Sequence, residues 1–115
     1  MDQLERGATD VVIALTTWPA AHDPAAFAGT LVEERLAACV NVLPEMESVY
    51  RWRGRVERER ERQVIIKTTR ARVEALIARV GQLHPYEVPE LVVLASDGGG
   101  PAYLDWVRGE TSSLD

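Results

Sequence analysis

The chain has 115 residues and a mass of 12.8 kDa, so we expect one domain. Its formal net charge of −5 opposes a general attraction to nucleic acid or to anionic membranes. Hydrophobic residues make up 46% of the chain, and no apolar run approaches the length of a membrane span. The start lacks the features of a secretory signal, and the single cysteine, Cys39, cannot form an internal disulfide. We therefore expect a cytoplasmic protein without nucleic-acid or membrane partners.

The first third of the chain predicts a strand followed by a helix. Residues 1–10 are expected to be flexible. The apolar, β-branched run Val11–Thr17 is typical of a strand in the middle of a sheet. Asp23 followed by Pro24 predicts a helix start, and apolar residues at helical spacing extend this helix to about Ala38.

A long hairpin is predicted next. From Cys39 to Arg53 the apolar pattern has a period of two, with a bend at Pro44 and a turn at Gly54. In the return arm, residues 57–62 alternate between glutamate and arginine, so an extended arm would carry one sign of charge on each face. This arm is interpreted as a solvated hairpin or as a protrusion that docks on a neighbouring subunit.

The remaining sequence repeats the order of strand, helix and strand. The return arm continues to Thr69, which is predicted to cap a second amphipathic helix that ends before Pro85. Leu91–Ala95 predicts a fourth strand. Residues 97–100 are predicted to be a flexible glycine turn, and Pro101 opens a short C-terminal helix.

This order predicts an α+β, ferredoxin-like βαββαβ fold in one domain, residues 11–108, followed by a flexible tail, 109–115. Two helices can cover only one face of a four-stranded sheet. The strands supply apolar and aromatic side chains to the other face, which favours packing against another subunit.

The segment from His84 to Glu90 holds a metal-capable imidazole in a rigid connection. Pro85 and Pro89 fix their own φ angles and push the residues before them toward extended geometry. Such rigidity indicates a site or an interface, or alternatively only a firm end to the helix.

Several motifs in order resemble the CutA divalent-cation-tolerance family. They are Arg35–Asn41, the hairpin Ser48–Gly54, the return strand Val64–Thr68 and the segment His84–Glu90. The resemblance covers about residues 11–108. It implies a ferredoxin-like subunit that assembles as a homotrimer, with strands of neighbouring subunits extending one another's sheets. It also implies a link to tolerance of copper or other divalent metals, with no enzymatic reaction, and no catalytic residues are predicted.

The resemblance weakens the case for copper binding. It points to a cysteine at the end of the first strand and to two histidines before the Pro-Tyr pair. This chain has Thr16, Leu83 and His84 at those places. Because threonine and leucine cannot replace thiolate and imidazole, we expect weak or absent binding of copper or another divalent cation, and no required cofactor. His84 remains the only candidate ligand.

A second candidate site is a cleft where subunits meet, lined by Tyr50, Trp52, Lys67 and Glu90. The alternative is that the aromatic residues form interface core.

A second function class is a trimeric scaffold or anchor for another protein. An RNA-binding module is disfavoured, because the third strand, Gln63–Thr68, lacks the basic, glycine and aromatic signature of such domains.

Overall fold

Ten short elements make up the part of the chain, residues 4–112, that the computed structural model describes. In chain order they are β1 (Glu5–Arg6), β2 (Val11–Pro19), α1 (Ala25–Glu33), β3 (Cys39–Trp52), β4 (Arg55–Thr69), a 3-10 turn (Arg70–Arg72), α2 (Val73–Leu83), β5 (Val92–Ala95), β6 (Gly98–Gly99) and α3 (Pro101–Glu110).

The main sheet has the strand order β3-β4-β2-β5, and all of its neighbouring strands are antiparallel. This order, with helices after the first and third of its strands, is the ferredoxin-like arrangement, so the predicted fold is confirmed. The long hairpin is also confirmed: β3 pairs with β4 as far as Trp52 and Arg55, with an irregularity between Val42 and Glu45, where Pro44 predicts a bend.

The main core lies between the sheet and helices α1 and α2. Ala14 of β2 is paired with Ile66 of β4, and both are buried against Leu31 of α1 and Leu76 of α2. Because successive strand residues point to opposite faces, the same register places Val64 on this side as well. Burial of each large aliphatic side chain contributes roughly 1.5–3 kcal/mol.

The opposite face of the sheet, here called the open face, carries apolar residues that α1 and α2 do not cover. The strand pairings put Ile13, Leu15 and Ile65 on this face beside Val92 and Leu94. Val92 and Leu94 are 49% and 46% exposed. Among residues 4–112, helix α3 covers one end of this face, where it packs on the sheet in a small second core of Val11, Ala38, Leu104 and Val107.

Helix α1 is shorter than the sequence predicts. It ends at Glu33 rather than near Ala38 because Arg35 adopts a left-handed conformation, with φ of 58°. The Leu36 N–H then donates to the Leu31 carbonyl, and the Arg35 N–H donates to the Val32 carbonyl. These two bonds form a Schellman motif, in which arginine takes the place usually held by glycine.

Both segments expected to be flexible contain regular structure. Within residues 1–10, β1 pairs with β6, which lies in the predicted glycine turn. Helix α3 continues through Glu110, and Thr111 is buried, although both lie in the expected tail. Residues 1–3 and 113–115 of these two segments lie outside the described residues.

Thr69 does not cap the second helix as predicted. A 3-10 turn follows it, and no hydrogen bond runs from its side chain to that turn. Its hydroxyl instead lies 3.2 Å from the hydroxyl of Thr111, so this threonine ties the end of β4 to the end of α3.

Two neighbouring residues of α2 test the position of the core. Leu76 is 0% exposed and Ile77 is 49% exposed. We expect Leu76→Ala to lower the free energy of unfolding by about 2–5 kcal/mol, because it removes buried contacts and leaves a cavity. Ile77→Ala should lower it by less than about 1 kcal/mol. Denaturant unfolding measures both, and equal losses would contradict the assigned burial.

Candidate functional site

His84, the residue singled out by the sequence, lies at the junction of α2 and β2. Helix α2 ends at Leu83, and extended geometry at His84 turns the chain toward the sheet, as expected before Pro85. The imidazole is 8% exposed. It packs edge-on against Trp18, with ring centroids 4.7 Å apart, and Trp18 in turn stacks on Phe27.

Both ring nitrogens of His84 have partners in the protein. The Tyr86 backbone N–H lies 3.0 Å from Nδ1, and since a backbone amide can only donate, Nδ1 is the acceptor. Nε2 lies 2.6 Å from the Thr17 carbonyl oxygen, which can only accept, so Nε2 carries the proton. The network therefore assigns a neutral imidazole with its proton on Nε2.

Burial reinforces the neutral form. Desolvation lowers the pKa of His84 below its ordinary value, and the Thr17 carbonyl and the charge of Glu61 oppose this shift only in part. A neutral imidazole binds a metal through a free ring lone pair. That lone pair, on Nδ1, already accepts the Tyr86 amide, so ligation would require this hydrogen bond to break.

The resemblance to the CutA family indicates two further ligand positions near His84. In this chain neither position carries a ligand atom suited to copper. Thr16 is fully buried, and its hydroxyl lies 3.5 Å from the Thr17 carbonyl oxygen. Leu83 packs against the main core. Among residues 4–112 there is no cluster of three or more histidine, cysteine or acidic side chains that could hold a metal.

Sequence reasoning missed a buried acid beside His84. Glu61 was interpreted with the charged hairpin arm, yet it is only 6% exposed, at the base of that arm. The Tyr86 hydroxyl donates to its carboxylate over 2.8 Å. Burial and this hydrogen bond raise the pKa of Tyr86 well above its ordinary value, so the phenol stays protonated as a donor. The sequence signal for this contact is Tyr86 itself, an aromatic residue held between two prolines.

A second hydrogen-bonded link joins the same region to the segment after Pro89. The Gln63 amide nitrogen donates to the Thr16 carbonyl oxygen at 2.7 Å and to Glu90 at 3.0 Å. Glu90, one of the predicted cleft residues, is thus held against the sheet. Together the two links fasten the His84–Glu90 segment to the C-terminal part of β2 and to the middle of β4.

The four predicted cleft residues do not meet within one chain. Trp52 is paired with Arg55 near the hairpin tip, whereas Lys67 is paired with Cys39 at the other end of the same two strands. Trp52 follows Cys39 by thirteen positions along β3, which at about 3.3 Å per residue corresponds to roughly 40 Å. A cleft that contains all four therefore requires a second chain.

Cys39 is partly buried. Its sulfur lies 3.8 Å from the side-chain oxygen of Asn41. The side chain belongs to the open face, since Cys39 is paired with Lys67, which is in turn paired with Ile13.

Comparison with known proteins gives consistent matches over almost the whole chain. A family model described as CutA1 divalent ion tolerance protein matches residues 12–110. A divalent-cation tolerance protein CutA from Thermus thermophilus is 46% identical over 99 residues, covering 86% of this chain and 96% of that protein. A protein named CutA, chloroplastic, from Arabidopsis thaliana is 37% identical over 96% of this chain, which spans 60% of that protein's length.

Solved structures agree with these sequence matches. CutA from Synechococcus elongatus superimposes with a TM-score of 0.87 at 38% identity, covering 95% of this chain and 96% of that one. None of the helices in residues 4–112 of this chain has the length and apolar character needed to cross a membrane.

The buried imidazole generates a prediction about pH. Because the folded-state pKa of His84 lies below its ordinary value of 6.5, the unfolded chain binds more protons between these two values. The contribution of His84 to stability is therefore fully present above pH 6.5 and is lost as the pH falls toward the folded-state pKa. We expect His84→Gln to remove this part of the pH dependence of the unfolding temperature.

His22→Gln is the matched control, because this second histidine lies in an exposed loop, and it should leave the pH dependence as in the wild type. An unchanged slope below pH 6.5 in His84→Gln would contradict the assignment of His84 as the buried neutral group.

Proposed function

This chain belongs to the CutA1 divalent ion tolerance protein family, and we propose that it is a non-enzymatic homotrimer that acts in the cytoplasmic response to divalent metal ions. The family membership supports the link to metal tolerance, since the relatives are named for it. The observation that supports assembly into a homotrimer is the apolar open face of the sheet.

The open face is too apolar for a surface that stays in water. Ile13, Leu15 and Ile65 lie on it in neighbouring strands, with Val92 and Leu94 beside them. Contiguous apolar patches of this kind mark interaction sites in soluble proteins. A second copy of the chain offers the same apolar surface, and closed cyclic symmetry allows each subunit to use it without open-ended growth.

The position of the cleft residues favours the same assembly. Tyr50 and Trp52 lie on the hairpin, roughly 40 Å from Lys67 along the strands. A hairpin that reaches a neighbouring subunit would place these aromatic side chains beside that neighbour's Lys67 and Glu90. Each cleft would then contain an apolar wall, one cation and one carboxylate, which suits a small polar ligand better than a transition metal.

We propose that metal tolerance does not require a tight copper site at His84. The Nδ1 lone pair accepts the Tyr86 amide, and the neighbouring family positions hold Thr16 and Leu83. Binding of copper or another divalent cation there would break one hydrogen bond and gain a single strong ligand. The expected result is weak binding without a required cofactor.

A trimeric scaffold that anchors another protein is the second candidate function. It is favoured by an exposed aromatic pair on α3, Tyr103 and Trp106, whose ring centroids are 5.6 Å apart. Exposed tryptophan and tyrosine are frequent anchors of protein interfaces. Capture of a specific partner that is independent of metal and is lost in Trp106→Ala would favour this function.

Light scattering of the purified protein tests the assembly. We expect a mass of three subunits that does not change with stoichiometric Cu(II) or with a chelator. Leu94→Glu should dissociate it, because this change places a charge on the open face, whereas Ile77→Glu, at a similarly exposed position on α2, should not. A wild-type monomer, or dissociation by Ile77→Glu alone, would contradict the proposed interface.

Copper titration by calorimetry tests the metal assignment. The wild type and His84→Ala should both bind Cu(II) weakly, with affinities that differ by less than about tenfold, because His84 offers no free lone pair. A tight site that disappears in His84→Ala would contradict the proposed role of this residue. His22→Ala controls for binding by an exposed imidazole.

A further inference from the structure

Residues 5–10, here called the strap, run alongside the segment that leads into α3. Strand β1 pairs with β6, with Glu5 opposite Gly99 and Arg6 opposite Gly98. The Thr9 N–H donates to the Ser96 carbonyl over 3.1 Å, and the two hydroxyls of these residues lie 2.5 Å apart. The strap precedes the region matched by the family model, which begins at residue 12.

The pairing of the strap depends on one glycine. Gly98 has a φ of 139°, a conformation that side chains rarely adopt. A Cβ at this position would also lie 2.3 Å from the Glu5 carbonyl oxygen. Only glycine therefore allows β1 to approach β6 this closely.

An ionic cluster joins the strap to α3. The guanidinium of Arg108, in the last turn of α3, contacts three carboxylates: Glu5 at 2.9 Å, Asp10 at 2.8 Å and Asp105 at 2.9 Å. Two of these carboxylates belong to the strap. The hydrogen bonds that the Arg108 guanidinium donates to Glu5 and Asp10 raise the pKa of Arg108, and salt screens pairs that are this exposed.

Helix α3 covers apolar surface at one end of the open face. Leu104 and Val107 pack on Val11, at the start of β2, and on Ala38. The opposite side of the helix exposes Tyr103 and Trp106. Apart from the strap, α3 is held by this apolar packing and, at its far end, by Thr111, which contacts Thr69 and Arg72. The Arg35 side chain also donates to the Glu110 carbonyl oxygen over 3.3 Å.

We propose that the strap is a latch for α3, and that the strap and α3 are released together while the main sheet stays folded. The short β1–β6 ladder and the exposed ionic cluster are weak individually, which places the strap at the low end of local stability. Release uncovers Val11 and Ala38 and so extends the open face. The latch controls how much apolar surface the sheet presents, and this inference holds for a monomer or for an assembly.

Hydrogen exchange on the full chain tests the latch with a matched pair of glycine variants. Gly98→Ala should raise the exchange rates of amides in the strap and in α3 together by about tenfold or more, because strain and the clash with Glu5 remove the β1–β6 ladder. Gly100→Ala adds the same methyl group where a Cβ meets nothing within 4 Å, and it should behave as the wild type. Exchange in β2 and β4 should not change.

A second pair of variants keeps the backbone intact. Glu5→Gln should speed exchange in α3 by about twofold to fivefold at low salt, and high salt should remove the difference. Glu87→Gln removes an equal charge from an exposed side chain that has no hydrogen bond or ion pair among residues 4–112, and it should have no effect.

Two results would overturn the latch. Protection of α3 that persists while the strap exchanges freely would mean that α3 is held by its own contacts. A loss of protection spread equally through β2 and β4 would mean that the strap belongs to the global fold and is not released separately.

Discussion

The register of β2 against β4 is the constraint on which the rest of this structure depends. Nine consecutive residue pairs, from Val11 with Thr69 to Pro19 with Glu61, fix which side chains enter the core and which remain on the open face. A slip by one residue would exchange the two faces of a strand. If β2 slipped, Ile13 would replace Ala14 in the core, and if β4 slipped, Lys67 would replace Ile66 there. The polar contacts at both ends of the pair rely on the same register.

A buried polar network lies at one end of this strand pair, and the His84 imidazole within it is neutral. Nε2 of His84 donates to the Thr17 carbonyl, and the Tyr86 hydroxyl donates to the buried Glu61 carboxylate. Buried polar groups cost free energy unless they are hydrogen-bonded, and here the His84–Glu90 segment supplies both donors. The rigidity that marked this segment in the sequence therefore has a structural use, which is to close the end of the sheet.

The order of strands and helices along the chain, and the core-facing side of each helix, could be predicted because hydrophobic periodicity reports them directly. Val11–Thr17 and the spacing of Leu76 and Val80 are examples. The left-handed Arg35 that shortens α1 could not be predicted, since that position usually holds glycine. The β1–β6 ladder was missed because two-residue strands have no period, and glycines that permit close pairing look the same as glycines in a flexible turn.

The candidate site was located by sequence, but its chemistry depends on contacts between distant segments. Sequence placed His84 in a rigid connection between a helix and a strand, yet only the fold reveals that Thr17 and Tyr86 occupy its two nitrogens. Glu61 was missed because alternation of charge predicts a solvated arm, whereas burial at its base depends on Tyr86 folding back from a later segment. The cleft residues are a further case, since no pattern within one chain can bring Trp52 near Lys67.

The most direct test of the central claim, that His84 is a structural link and not a metal ligand, is nitrogen-15 NMR of its imidazole ring with and without Zn(II). A neutral ring protonated on Nε2, with both nitrogen shifts unchanged by the metal, is the result that the hydrogen bonds to Thr17 and Tyr86 predict. A ring that exchanges between tautomers, or a Nδ1 resonance displaced by zinc, would contradict it.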